Sequence, residues 1–238
     1  MVVLPILGTG KSLELRNPKI IAVGLNYREH VAESPTILAK SAVPTPEEPK
    51  EPILFAKTPN VLIGPGEPIP IPRTLLDGYG FAECRTDYEA ELAVVIGERC
   101  KNVDVDRALS MVLGYTCFND VSQRNFQKSD KSGWFRGKSL DGFGPIGPVI
   151  VPASALPDPQ KLAISCLRNG KTVQSSSTAE MIFSVATLIA FISRHMTLEP
   201  GDIIATGTPS GVGPIAPGDV VEVEIEGIGI LSNPVVAS

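Results

Sequence analysis

Aromatic side chains are scarce in this sequence, making up 5% of its 238 residues, with a single tryptophan. Cysteine is scarce too. Cys84, Cys100, Cys117 and Cys166 form no CxxC pair and have no neighbouring histidine, which argues against a zinc cluster. They read as buried free thiols in a reducing compartment. No apolar run approaches the roughly 20 residues that span a bilayer as a helix. The opening MVVLPILGTGKSLE has no basic segment and its apolar run is broken by Pro5, so it does not read as a signal peptide. A cytoplasmic protein is therefore expected. Positive charge is also limited. Twenty-one Lys and Arg stand against 26 Asp and Glu, a net charge of -5, which argues against nucleic-acid or anionic-membrane partners.

Turn formers, by contrast, are plentiful, with 22 glycines and 22 prolines. That mixture favours many short strands over a helical bundle. The length suits one domain with a short appendage. The expected division is an N-terminal segment over 1–18 and a catalytic domain over 19–238. The expected fold class is mixed α/β, dominated by β. Strands are predicted over Lys19–Leu25, Ile53–Lys57, Asp87–Ile96 and Tyr115–Asn119. Another is predicted from Val220 to Leu231, where Glu222, Glu224 and Glu226 form a solvated face. A short helix is predicted from Asn26 to Glu33, then a proline-rich connector over 34–52. Asp104 is expected to cap a helix reaching Leu113 and stopped by Gly114. A helical turn is expected from Val121 to Lys128. Ser177 or Thr178 is expected to cap the longest helix, which ends at His195.

The segment Asp87-Tyr88-Glu89-Ala90-Glu91 carries the strongest chemical signal. Alternate residues of a strand share a face, so Asp87, Glu89 and Glu91 are expected to point the same way. Glu89 and Glu91 would lie roughly 7 Å apart along the backbone. Acids beside the apolar run Leu92–Ile96 need a counter-charge if buried, and a divalent cation supplies one. Hard oxygen ligands suit Mg²⁺ or Mn²⁺, with Ca²⁺ also compatible. The same pattern equally describes the wet face of an edge strand. Asp120, at the end of a second strand, adds a carboxylate in a position where sites are common. Arg124, Gln127 and Gly137-Lys138-Ser139 follow closely.

Five segments, in order, carry a family resemblance: VGLNYREHVAE, DYEAELAVVIG, GYTCFNDVSQRNFQ, RGKSLDGFGPIGP and LEPGDIIATGTPSGVG. Together they resemble the fumarylacetoacetate hydrolase family, and they span nearly the whole chain. The resemblance implies a rolled, largely antiparallel β core with flanking helices, like that family's C-terminal domain, and a homodimer. It implies Glu89, Glu91 and Asp120 as metal ligands and Lys138 as the cation that polarises substrate or steadies an oxyanion. Arg124 and Gln127 would hold the substrate or its surroundings, although Arg124 also reads as a plain ion pair with one of the acids. Thr208 would bind the substrate carboxylate, although it also reads as a turn residue before Pro209. Asp87 would be supporting.

Of the two histidines, His195 ends a helix, where its cation meets the helix dipole favourably. His30 and Glu33 stand at i,i+3 and can touch on one helical face. By the resemblance, that pair would activate water. The implied reaction is metal-assisted hydrolysis of a C–C bond in a small 2,4-dioxo acid of acylpyruvate or fumarylpyruvate type, through a pyruvate enolate. The alternatives are an oxaloacetate-type decarboxylase and a 2-hydroxyhepta-2,4-diene-1,7-dioate isomerase/decarboxylase, using the same metal site. Two other classes fit less well. Gly10-Lys11-Ser12 and Gly137-Lys138-Ser139 echo a P-loop ending, but Pro5 and Ser132 stand where its leading glycine is required. A non-catalytic Ca²⁺ module would use the acids but not His30, Arg124 or Lys138.

Overall fold

The computed structural model describes residues 1–38, 48–131 and 134–238. Strands dominate and gather into three sheets. The largest runs Lys11–Glu14, Val3–Ile6, Gly144–Pro152, Val112–Asn119, Ala90–Ile96, Ile203–Ala205, Ile20–Gly24, Ile53–Lys57, with Leu62–Ile63 attached to Gly144–Pro152. Most of its pairings are antiparallel; Ile203–Ala205 beside Ile20–Gly24 is one parallel exception. A five-stranded sheet packs against it, with Val220–Ile225 lying over Ala90–Ile96 and Val112–Asn119. Every residue of Ala90–Ile96 is buried, which is why that run is continuously apolar apart from Glu91. The β-dominated mixed class expected from sequence is the observed one.

The N-terminal residues form a hairpin, Val3–Ile6 with Lys11–Glu14, and Val3–Ile6 joins the large sheet beside Gly144–Pro152. Several expected elements differ from those observed. The strand from Asp87 breaks at Glu89, leaving Thr86–Tyr88 in a small separate sheet and Ala90–Ile96 in the large one. The expected helix from Asp104 is one turn, Val105–Ala108, followed by a 3₁₀ turn, and Gly114 lies inside a strand. A Cβ on Gly114 would stand 2.3 Å from the Val151 carbonyl oxygen, so this glycine permits a close approach of strands. Ser177 caps a 3₁₀ turn, whereas the helix Val185–His195 is capped by Ser184, whose hydroxyl accepts from the Thr187 N–H. The early helix runs Arg28–Leu38, taking in the start of the expected proline-rich connector; 39–47 lie outside the described residues. The C-terminal stretch is two strands, Val220–Ile225 and Gly229–Ala237, joined by a turn. Cys84 is exposed, unlike the other three cysteines, because it lies in the loop before Thr86–Tyr88.

Candidate active site

The break at Glu89 creates the site. Its N–H donates to the Asn119 side chain, and its carbonyl accepts from the Asp120 N–H, so the two strand ends are clasped together. Glu89, Glu91 and Asp120 thereby converge, each buried, with one oxygen from each within 4.8 Å of the others. Asp87 is not one of the three converging acids. Arg85 and Arg124 grip its carboxylate at 2.8 Å each, and Arg124 links it to Glu89, so Asp87 supports the cluster from outside it.

Two ammonium groups face this cluster. Lys138 Nζ lies 2.7 Å from Glu89 and 2.6 Å from Asp120, with only 2% of its side chain exposed. Lys57, absent from the sequence-based site, is fully buried and reaches Asp120 at 2.5 Å. Its signal was a lysine closing the apolar strand ILFAK, where a solvated strand end is the ordinary reading. Arg124 bonds Asp87, Glu89 and the Gln127 side-chain oxygen, the last at 2.7 Å. The plain ion-pair reading of Arg124 is thus part of its role in the structure.

These charges are unevenly shared. Burial pushes the Glu89 carboxyl upward, but Lys138 and Arg124 outweigh it and hold the group well below the usual carboxylate range. Glu91 has no ion pair among the described residues, and its bond is from the Gly207 N–H at 2.8 Å. Burial, with the charges of Asp120 and Glu89, raises its carboxyl well above the ordinary value. Lys138 goes up despite burial because Asp120 and Glu89 face it, whereas burial pulls Lys57 down against the opposing charge of Asp120. Three close, buried, all-oxygen donors with one carboxylate lacking a cation fit a divalent ion of Mg²⁺ or Mn²⁺ type.

A cleft opens above the cluster, lined by Glu89, Glu91, Arg124, Gln127, Lys138 and Thr208 on its polar side. His30 lines it too, with its Nδ1 3.6 Å from Glu33. Glu33 also accepts the Gly211 N–H at 3.0 Å, and its carboxyl lies below the ordinary range, chiefly through its bond with His30. Ser210 donates to Glu29 at 3.0 Å, so the helix carrying His30 is fastened to the turn carrying Thr208. The Thr208 hydroxyl accepts from Gln174, which also accepts the Ala90 N–H. Gln174 is a second residue that sequence reading missed, since nothing in KTVQSSS marks one glutamine as buried. Asp120 and Glu33 stand behind the lining, each supporting a lining cation. His195 is remote from this group, exposed at its helix end with Nδ1 2.9 Å from the Phe191 carbonyl oxygen.

A model of the family described as fumarylacetoacetate (FAA) hydrolase C-terminal matches residues 19–236. The chain belongs to the fumarylacetoacetate hydrolase family. Among its relatives is a mitochondrial oxaloacetate tautomerase of Xenopus laevis, 42% identical over 231 residues, 93% of this chain and 67% of that protein. Among solved structures, the fumarylpyruvate hydrolase of Pseudomonas aeruginosa, in complex with Mn²⁺ and pyruvate, superposes with a TM-score of 0.83 at 30% identity. The match covers all of this chain and 96% of that one. A 2-hydroxyhepta-2,4-diene-1,7-dioate isomerase of Mycobacterium marinum gives 0.79 at 38% identity, covering 97% and 82%. The family members named here are enzymes, hydrolase and isomerases, and their β-dominated fold is shared by this chain.

Proposed function

We propose that the chain hydrolyses a C–C bond in a small 2,4-dioxo acid of acylpyruvate type. The observation that carries this reading is one cleft lined by Glu89 and Glu91 of the three-carboxylate cluster, by the Lys138 ammonium and by His30, with Asp120 and Glu33 directly behind. A divalent cation held by Glu89, Glu91 and Asp120 supplies Lewis acidity at the 2-oxo acid end of the substrate. The Thr208 hydroxyl binds the substrate carboxylate, and Gln127 with Arg124 fixes the polar wall. His30, oriented by Glu33, removes a proton from water. The water oxygen attacks the distal carbonyl carbon, and Lys138 steadies the oxyanion that develops. The bond between that carbon and C3 then breaks. Its electron pair becomes the enolate of pyruvate, which takes up a proton, and a carboxylic acid is released.

A second reading is keto–enol isomerisation of an oxaloacetate-type acid. It draws on the 42% identity to the tautomerase and uses His30 to move a proton between C3 and solvent. Pyruvate release from acetylpyruvate, measured beside enol-to-keto conversion and CO₂ release with oxaloacetate, each with Mn²⁺ and with EDTA, separates the readings. Faster EDTA-sensitive cleavage of acetylpyruvate, lost by about 10²-fold or more in His30→Ala, is expected. Oxaloacetate ketonisation without acetylpyruvate cleavage would replace hydrolysis with the second reading, and CO₂ loss would make the chain a decarboxylase.

A further inference from the structure

The remaining wall of the cleft is apolar, formed by Val23, Gly24, Leu25, Phe55 and Trp134. Among the described residues, five non-glycines have positive φ, and three are asparagines, which tolerate that conformation. The other two are Leu25 at +55° and Trp134 at +71°, and both belong to this wall. Large side chains held in the left-handed region mark a surface the surrounding fold enforces, and such residues concentrate at functional sites. Gly24 makes room for the arrangement, because a Cβ there would lie 2.9 Å from the Trp134 ring. Phe55 and Trp134 meet edge to face, with centroids 5.3 Å apart. Lys138 Nζ lies 5.0 Å from the Phe55 centroid, so the apolar wall begins one ring away from the ammonium.

The cations lining the cleft among the described residues are His30, Arg124 and Lys138. Each is engaged with acids: His30 with Glu33, Arg124 with Asp87 and Glu89, and Lys138 with Glu89 and Asp120. The apolar wall itself carries no cation among the described residues, so a second carboxylate on a tail lying there would meet hydrocarbon and ring faces and lose hydration without gaining an ion pair. A flat apolar tail would bury its surface against Phe55 and Trp134 instead.

We propose that Trp134, with Phe55 and Leu25, selects a 2-oxo acid whose distal substituent is apolar and planar, an aryl or alkenyl group, in preference to one ending in a carboxylate. This deepens the reading above and rests on it for the 2-oxo acid head. Trp134 is the single tryptophan, so its emission reports directly on that wall.

The test is titration of the Mn²⁺-loaded protein with oxalate, 4-phenyl-2-oxobutanoate and 2-oxoglutarate, followed by Trp134 emission and by calorimetry. Oxalate offers the head alone, and the other two share a 2-oxo acid head and differ in the tail. The phenyl compound is expected to bind at least 10-fold more tightly than 2-oxoglutarate and to shift the emission to shorter wavelength. Trp134→Ala, read by calorimetry, should bring that ratio close to one. Gly24→Ala, which pushes the ring from its place, should do the same while keeping the fluorophore. Oxalate binding with 2-oxoglutarate as tight as the phenyl compound, or a ratio unmoved in both variants, would overturn the proposal alone. No Mn²⁺-dependent binding of oxalate would overturn the functional reading and the tail selection with it.

Discussion

Among the described residues Glu91 is held by one N–H, from Gly207, while its two carboxylate neighbours are matched by lysines. Replacing it by glutamine keeps the shape and the Gly207 bond but removes one anionic donor. Mn²⁺ affinity measured by calorimetry is expected to fall by at least about 10–100-fold, the usual effect of disturbing a metal site's surroundings. Divalent-dependent turnover should be lost with it. Lys57 makes the opposite case. It lies out of reach of solvent against Asp120, so Lys57→Met leaves a buried carboxylate with one cation fewer. Removal of one partner from a buried pair costs about 3–5 kcal/mol. A lowered urea midpoint in the metal-free protein is the measurement, and an unchanged midpoint would show that Lys138 alone balances Asp120.

At the scale of elements, the site depends on how strands end. Glu91 lies in Ala90–Ile96, Asp120 follows Val112–Asn119, and Gly207 follows Ile203–Ala205. These three strands are adjacent in one sheet, so their ends are brought together by register. Gly114 sits in Val112–Asn119, opposite Pro152 of Gly144–Pro152 and just past the irregular stretch between Gly147 and Val151. An alanine there would force the strands apart, because its Cβ would collide with the Val151 carbonyl. Gly114→Ala should destabilise by about 1–3 kcal/mol, the usual effect of overpacking. Denaturant unfolding would read it, and no change in midpoint would mean the sheet relaxes there freely.

For the whole molecule, the uneven charge of the cluster sets a pH dependence. In the unfolded chain the Glu91 carboxyl titrates at about 4.3. In the folded chain burial and the charges of Asp120 and Glu89 raise it. Between those two values the native state holds a proton that the unfolded state has lost. Stability therefore falls as pH rises through that window, by up to about 1.4 kcal/mol per pH unit for one proton. Glu89, whose folded value is depressed, adds stability that is complete above its unfolded value and lost only on acidification. The metal-free protein should thus weaken from about pH 5 towards neutrality. Glu91→Gln should flatten that slope, and added Mg²⁺ should offset the loss with release of a proton. Urea unfolding at several pH values, with and without Mg²⁺, measures it.

Local pattern was enough to determine much of this protein. Continuous apolar runs marked Ile20–Gly24 and Ala90–Ile96 as buried strands, because a strand covered on both faces has no polar positions to spare. The family resemblance gathered Glu89, Glu91, Asp120, Lys138 and His30 into one expected site before any fold was known, with hydrolysis, decarboxylation and isomerisation all compatible. Only tertiary structure decided which acids share the site. Alternation along a strand cannot foresee a break at Glu89, which is stabilised by Asn119 from another strand, thirty positions away in sequence. Nor can it distinguish Lys57 from any lysine at a strand end, or bring Trp134 against Gly24. Burial of a charge and the close approach of a ring are pairwise facts of space, and they are set by sheet order and register rather than by neighbours in the chain.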